Sequence, residues 1–293
     1  MDKKTFSYSL FEAKHLPQHR FWDRWKKDKD RYWYNVLSLP LTNRLLFPEY
    51  HMIFYVSPNV WDNPLSATLK ILASNLDKFE VQTVSMDYSL TEPAIWRMIP
   101  LWNRDINVLH PRDIDSLPSK KEILYVDAFE KSGCTVGTIR SHENHHGIAC
   151  QMLAGLSSFK PQNIPMSIKG PDFNYYYSHR HQNYGSDQDL MVNFFTKTED
   201  FTGSKFLDYK IDKQFHDQLF SCCSLDDTTL TKSLTPQQEG VINKIESLVP
   251  TSWLGEPCDT RGEYTEFVLS NYTTISERIN NNKALLDFYR VTN

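Results

Sequence analysis

The sequence predicts an α/β fold with a mostly parallel central sheet and helices over its faces. Two observations predict it. Between about residues 50 and 160, short apolar runs alternate with stretches of helical periodicity. One of those runs ends directly before a pair of aspartates, where open α/β sheets place their ligands.

The elements follow in order. His51-Met52-Ile53-Phe54-Tyr55-Val56 is an apolar run closed by Ser57-Pro58, the pattern of a buried strand. Pro64 to Leu76 carries Leu65, Leu69, Ile71, Leu72 and Leu76 at near-helical spacing. Phe79-Glu80-Val81-Gln82-Thr83-Val84 alternates as a second strand. Ala94 to Trp102 bears a helical stripe of Ile95, Met98, Ile99 and Trp102. Ile106-Asn107-Val108-Leu109 is a third strand and Val136 to Ile139 a fourth. Strands spaced by helices imply parallel pairing with both sheet faces covered.

Beyond 160 the pattern loosens. Gly170-Pro171 and Tyr175-Tyr176-Tyr177 read as loops and ligand-facing surface. A helix is expected over Leu234 to Val249, with Pro236 near its start and Val241, Ile242, Ile245 and Leu248 on its apolar side. The last stretch, 261–293, is expected to be a helix packed on a main domain spanning 46–260, and 1–45 an N-terminal extension.

That extension is unusual. Phe21, Trp22, Trp25, Tyr32, Trp33 and Tyr34 are interleaved with Arg20, Arg24, Lys26, Lys27, Lys29 and Arg31, and opposed by Asp23, Asp28 and Asp30. Such a segment either packs its rings on the domain and leaves its charges in water, or stacks its rings on bases or sugars. The packed reading is the expected one. A net charge of −4 over 293 residues excludes a polycation that coats nucleic acid as a whole. Five cysteines without a C-x-x-C pair, and a first segment Met1-Asp2-Lys3-Lys4-Thr5 with no apolar core, suit reduced thiols in the cytoplasm. No apolar run approaches the ~20 residues of a membrane span.

The chemistry concentrates in Arg112-Asp113-Ile114-Asp115-Ser116. Carboxylates at i and i+2, just past a short strand, can present oxygens to a hard divalent cation such as Mn2+ or Mg2+. Such a cation can bridge the protein to a nucleoside diphosphate and offset charge as the diphosphate departs. His142, His145 and His146 cluster elsewhere, but H-x-x-H-H lacks the spaced ligand set of a zinc site.

Several segments in one order then resemble a family of bacterial and viral glycosyltransferases of the GT-A type. They are Ile95-Trp96-Arg97-Met98-Ile99-Pro100-Leu101, Arg112 to Ser116, Arg140-Ser141-His142-Glu143, Leu153-Ala154-Gly155-Leu156-Ser157, Tyr184-Gly185-Ser186-Asp187-Gln188-Asp189, Phe215-His216-Asp217 and Trp253-Leu254-Gly255-Glu256. The corresponding family patterns are W-R-F-L-P-L, R-D-x-D-S, R-D-H-P, G-G-M-W-G, G-x-D-Q, H-D-S and F-V-G-Q. The resemblance covers about 45 to 260. Here the R-D-H-P pattern lacks its Asp and Pro, and the glycine-rich segment lacks a glycine and its Trp, departures that point to a donor sugar other than the common hexose.

The resemblance implies a Rossmann-like GT-A fold and a metal-dependent enzyme that takes a sugar from a nucleotide-sugar, with UDP the expected nucleotide. Asp113 and Asp115 would hold Mn2+ or Mg2+, with His216 as a third ligand. Arg97, Arg112, Asp113, Arg140 and Gly155 would lie on the donor side, the arginines near the nucleotide or bracing the aspartates. Gly155 would let backbone approach the donor sugar. Asp187 and Gln188 would face the acceptor, and Asp187 would be the base if the reaction inverts the anomeric carbon. The acceptor would be a surface glycan or, as in phage relatives, a hydroxymethylated base in DNA. Two other readings compete. A two-metal nuclease or phosphotransferase needs more carboxylates than this pair. A non-catalytic carbohydrate-binding domain would use Tyr175, Tyr176 and Tyr177 as a sugar platform.

Overall fold

The strand that organises the sheet lies inside the stretch that the sequence marks as an extension. Lys3-Lys4-Thr5-Phe6-Ser7-Tyr8-Ser9-Leu10 alternates polar and apolar residues, and forms strand β1 (Lys3–Leu10). Phe6, Tyr8 and Leu10 join a large apolar core on one face. Thr5, Ser7 and Ser9 are buried on the other, where the hydroxyls of Ser7 and Ser9 donate to backbone carbonyls. Alternation of this kind ordinarily marks a half-exposed strand. Here both faces are covered, so its polar positions are small.

The computed structural model describes residues 3–12, 30–85, 93–140, 154–178, 206–210, 223–225, 232–248 and 258–290. The other strands are β2 (His51–Val56), β3 (Phe79–Thr83), β4 (Ile106–Pro111), β5 (Val136–Arg140), β6 (Ser157–Phe159), β7 (Phe206–Lys210) and β8 (Cys223–Leu225). Among the described residues they form one sheet in the order β3-β2-β1-β4-β6-β5-β7-β8. Neighbours are parallel throughout, apart from β6, which is antiparallel to both β4 and β5. The order 3-2-1 is that of one mononucleotide-binding half of a Rossmann-like sheet, and β4 lies beside β1 across the point where the strand order reverses. The expected α/β fold with a mostly parallel sheet is therefore the observed one.

Both faces are covered, unequally. One carries α1 (Ser38–Leu46), α2 (Ala67–Asn75), α3 (Lys120–Lys131), α6 (Pro236–Leu248), α7 (Glu263–Leu269), α8 (Thr273–Asn280) and α9 (Lys283–Tyr289), which bury Leu41, Leu69, Phe129, Ile245, Val268, Ile279 and Leu285 against Phe6, Phe54 and Val56. The opposite face carries a 3-10 helix over Pro93–Trp102, then α4 (Met166–Lys169) and α5 (Phe173–Ser178), which meet Ile53, Tyr55, Leu109 and Val136. Gly170 joins α4 to α5 at φ 74°, and a Cβ there would stand 2.0 Å from the Tyr175 ring. Tyr175 is half-exposed.

Three expectations change in form and one helix is new. Tyr175-Tyr176-Tyr177, expected as loop, lie in α5. The 93–102 stripe is a 3-10 helix rather than an α-helix. The end of the chain is three short helices, α7 to α9, because Asn271-Tyr272 and Asn281-Asn282 interrupt it. Residues 120–131, unremarked in the sequence, form α3, whose N-cap Ser119 accepts a hydrogen bond from the Glu122 N–H at 3.3 Å. Among the described residues, no helix is long and apolar enough to cross a membrane.

Candidate active site at the carboxyl end of strand β4

Strand β4 ends at Pro111, and the Arg112 N–H still pairs with Ser7 O of β1 at 3.0 Å. The chain then turns through Asp113-Ile114-Asp115. Ile114 is buried in the large core, so the flanking aspartates share the outer side of the turn. The turn is pinned from the far end of the chain, because the Cys258 N–H donates to Asp115 O at 2.8 Å. A network of Ser38, Asn35 and Thr260 ties that segment to residues 34–38. The turn is thus clamped between segments more than 200 residues apart in sequence, the Asn35–Thr260 bond spanning 225.

Each aspartate has its own arginine. Arg97 Nη1 donates to Asp113 Oδ1. Arg97 is held by β1: Ser7 Oγ donates to Arg97 O at 2.6 Å, and the Arg97 N–H donates to Ser9 Oγ at 3.0 Å. The polar positions of β1 therefore aim the residue that braces Asp113. Arg31 holds Asp115, with Nε at 3.0 Å and Nη2 at 2.6 Å from the same oxygen, Oδ2. The carboxylates differ in access, since the Asp113 side chain is 43% exposed and that of Asp115 only 8%. Burial, with Asp113 beside it, pushes the Asp115 carboxyl above its usual range, and Arg31 opposes that rise.

Arg112 points the other way. It is buried and ion-paired with Glu122 at the start of α3, and its Nη1 donates to Pro111 O at 2.8 Å and Ser157 O at 2.5 Å. It ties together β4, β6 and α3 behind the turn. Gly155 lies against Asp113, where a Cβ would stand 1.9 Å from Oδ2. Its lack of a side chain gives room to the carboxylate. Arg140 is the last residue of β5, and its side chain lies outside the described residues, as do Asp187, Gln188, His216, His142, His145 and His146.

The donor set fits a hard cation in part. Two adjacent carboxylates, one of them exposed, suit Mn2+ or Mg2+, which are commonly held by one or two carboxylates with water and phosphate completing the shell. Among the described residues no group of three His, Cys, Asp or Glu could hold a metal by itself. Burial pushes the Cys258 thiol up to about 12.

Arg31 is the residue that the sequence pattern misassigns. It reads there as one cation of a basic, aromatic segment, whereas the fold delivers it to Asp115. Its neighbours are packed inward: Trp33 is buried with Nε1 donating to Glu12 at 3.2 Å, and Tyr32 meets Phe11 with ring centroids 5.6 Å apart. Of that segment, 20–29 lies outside the described residues. Only the placement of Asp115 in space could have singled out Arg31.

No family model matches the chain, and no curated protein matches it. Among solved structures, similarity extends to a protein assigned as a nucleotide-diphospho-sugar transferase from Desulfovibrio desulfuricans G20, with 9% identity, a TM-score of 0.42, and 94% of this chain and 98% of that one covered. The glycosyltransferase GlyE of Streptococcus pneumoniae TIGR4 matches with 10% identity and a TM-score of 0.47 over 96% of this chain and 64% of that one. Residues 1–349 of S. aureus TarS match with 11% identity and a TM-score of 0.40 over 66% and 55%. At these TM-scores the fold assignment stands on the sheet order and its pairing, not on the likenesses.

Proposed function

We propose that the chain is a metal-dependent glycosyltransferase that moves a sugar from a nucleoside-diphosphate sugar, UDP being the nucleotide, to a hydroxyl of its acceptor. The observation that carries this reading is the pair Asp113 and Asp115 on one side of a pinned turn, at the carboxyl end of β4 beside β1. That is where a sheet of order 3-2-1-4 receives a nucleotide.

Asp113 and Asp115 would hold Mn2+ or Mg2+, with His216 as a third ligand. The cation would supply a positive charge that offsets the one developing on the departing diphosphate. Arg97 fixes the rotamer of Asp113 from a buried position, so that the carboxylate is set before the donor arrives. Gly155 leaves the space that Asp113 fills. Arg140, from the end of β5, would add a donor contact, and Arg112 would act on the donor side only through the turn it secures. Asp187 would take the acceptor's proton in an inverting reaction, and Gln188 would bind the acceptor beside it. The acceptor would be a hydroxyl of a glycan or of a hydroxymethylated base in DNA. Trp33 is buried and Tyr32 partly buried against Phe11, so any stacking on bases would fall to other rings.

The test is calorimetric titration of UDP into wild type and Asp115→Asn, with and without Mn2+. Binding that needs both Mn2+ and Asp115 is expected. No binding under any condition would sink the transferase reading and leave a carbohydrate-binding domain in its place. Activity on a glycan acceptor that is flat between 50 and 200 mM salt would support the glycan, whereas a steep fall on hydroxymethylated DNA would mark phosphate contacts.

A further inference from the structure

The turn carries three arginines, and they are not equally fixed. The side chains of Arg97 and Arg112 are 6% and 5% exposed, whereas that of Arg31 is 30% exposed. Arg31 opens a short 3-10 turn, Arg31–Trp33, anchored by the buried Trp33. Its backbone is secured while its guanidinium reaches the site from the solvent side. Its head is therefore the most exposed of the three.

What it holds is specific. Both Nε and Nη2 donate to Asp115 Oδ2, which uses the two lone-pair directions of that oxygen. Mn2+ or Mg2+ binds carboxylate oxygen at roughly 2.0–2.2 Å. At that distance the cation and the two N–H groups would claim the same space on Oδ2, and their charges repel. Ile114 and the Cys258 N–H fix the backbone of the turn, which keeps Asp115 beside Arg31. Asp115 is buried, with its side chain 8% exposed, so a cation beside it offsets the cost of taking its charge out of water.

We propose that Arg31 is a built-in counter-ion of the metal site, which competes with the divalent cation for Asp115 and must swing off for the cation to bind Oδ2. This rests on the reading of Asp115 as a metal ligand. Arg31 is a positioning residue in this scheme. It keeps the buried carboxylate neutralised and the turn in shape, and it lowers the affinity of the nucleotide-free protein for metal, so that the cation enters with the donor diphosphate.

The experiment is a Mn2+ titration without nucleotide, with free Mn2+ read by electron paramagnetic resonance, on wild type, Arg31→Gln and Arg31→Gln/Asp115→Asn. Arg31→Gln is expected to bind Mn2+ about tenfold more tightly than wild type, a coupling of ordinary size between two ligands of one site. The double variant should lose that gain. A thermal melt covers the case of a weakened fold: Mn2+ should raise the Tm of Arg31→Gln by more than that of wild type, because the cation replaces the missing charge. If Arg31→Gln binds Mn2+ no better than wild type and gains no extra Tm, while wild type still needs Mn2+ and Asp115 to bind UDP, the counter-ion inference falls and the transferase reading stands. If no variant binds Mn2+, with or without UDP, both fall.

Discussion

The two sides of the Arg112–Ser116 turn use the same chemistry to opposite ends. On the inner side, Arg112 and Glu122 form an ion pair with both partners buried, joined to the carbonyls of Pro111 and Ser157. On the outer side, Asp113 and Asp115 are paired with Arg97 and Arg31 but remain in reach of solvent through Asp113 and Arg31. A guanidinium–carboxylate pair sealed from water is a structural fixture, because breaking it strands a charge. The same pair left partly open is exchangeable, and can serve a ligand. Position relative to solvent separates the roles, and residue type does not.

The largest effect that would break this contrast is on the inner side. Arg112→Ala leaves Glu122 buried without its partner and should cost about 3–5 kcal/mol of stability. Arg112→Met combined with Glu122→Leu should recover most of that loss, as urea denaturation would show. Recovery absent from the double variant would mean that the ion pair itself, and not the stranded charge, is what the fold needs.

Gly155→Ala acts on the outer side and should spare the fold more than the site. The new Cβ would stand 1.9 Å from Asp113 Oδ2, so the carboxylate must move off its present position. A fall in Mn2+-dependent UDP affinity of roughly tenfold or more is expected, with a ΔΔG of unfolding no larger than the typical 0.5–3 kcal/mol of a point variant. Unchanged affinity by calorimetry would mean that Asp113 does not work from the position shown.

The smallest effect concerns His110, buried behind the turn between Tyr50 OH at 3.3 Å and Ser158 Oγ at 2.6 Å. Burial, with Arg112 and Lys4 nearby, holds it well below the usual 6.5. The folded protein therefore keeps it neutral where the unfolded chain takes up a proton. Stability is intact above pH 6.5 and is lost as pH falls through 6.5 toward the folded value. At pH 5.5 the loss from this group is at most about 1.4 kcal/mol. His110→Gln should show that much less acid destabilisation between pH 7.5 and 5.5 in chemical denaturation, and an equal loss would assign the acid sensitivity to other groups.

Much of the frame was legible in the sequence because burial on both faces leaves continuous apolar runs. Strands β2, β3, β4 and β5 and helices α2 and α6 fall where periodicity puts them. Strand β1 escaped because hydroxyl residues on one face imitate a solvent-exposed alternation, while in the fold they are buried and Ser7 and Ser9 bond to the 93–102 helix. Helix α3 was signalled by Ser119 and Glu122 at capping-box spacing, a cue that its mixed composition hides.

By itself the sequence determined the α/β class, the position of the Asp113–Asp115 pair past a strand, and the basic, aromatic character of the residues around Arg31. These depend on local order: periodicity sets the faces, and i, i+2 spacing sets a shared side. Only the tertiary structure decided that β1 lies in the middle of the sheet, that Arg112 turns inward to Glu122, and that Arg31 reaches Asp115 across 84 residues. Each of those is a choice of partner for a charge or a strand edge. Such choices are made by the distances and burial that folding creates, which no spacing along the chain encodes.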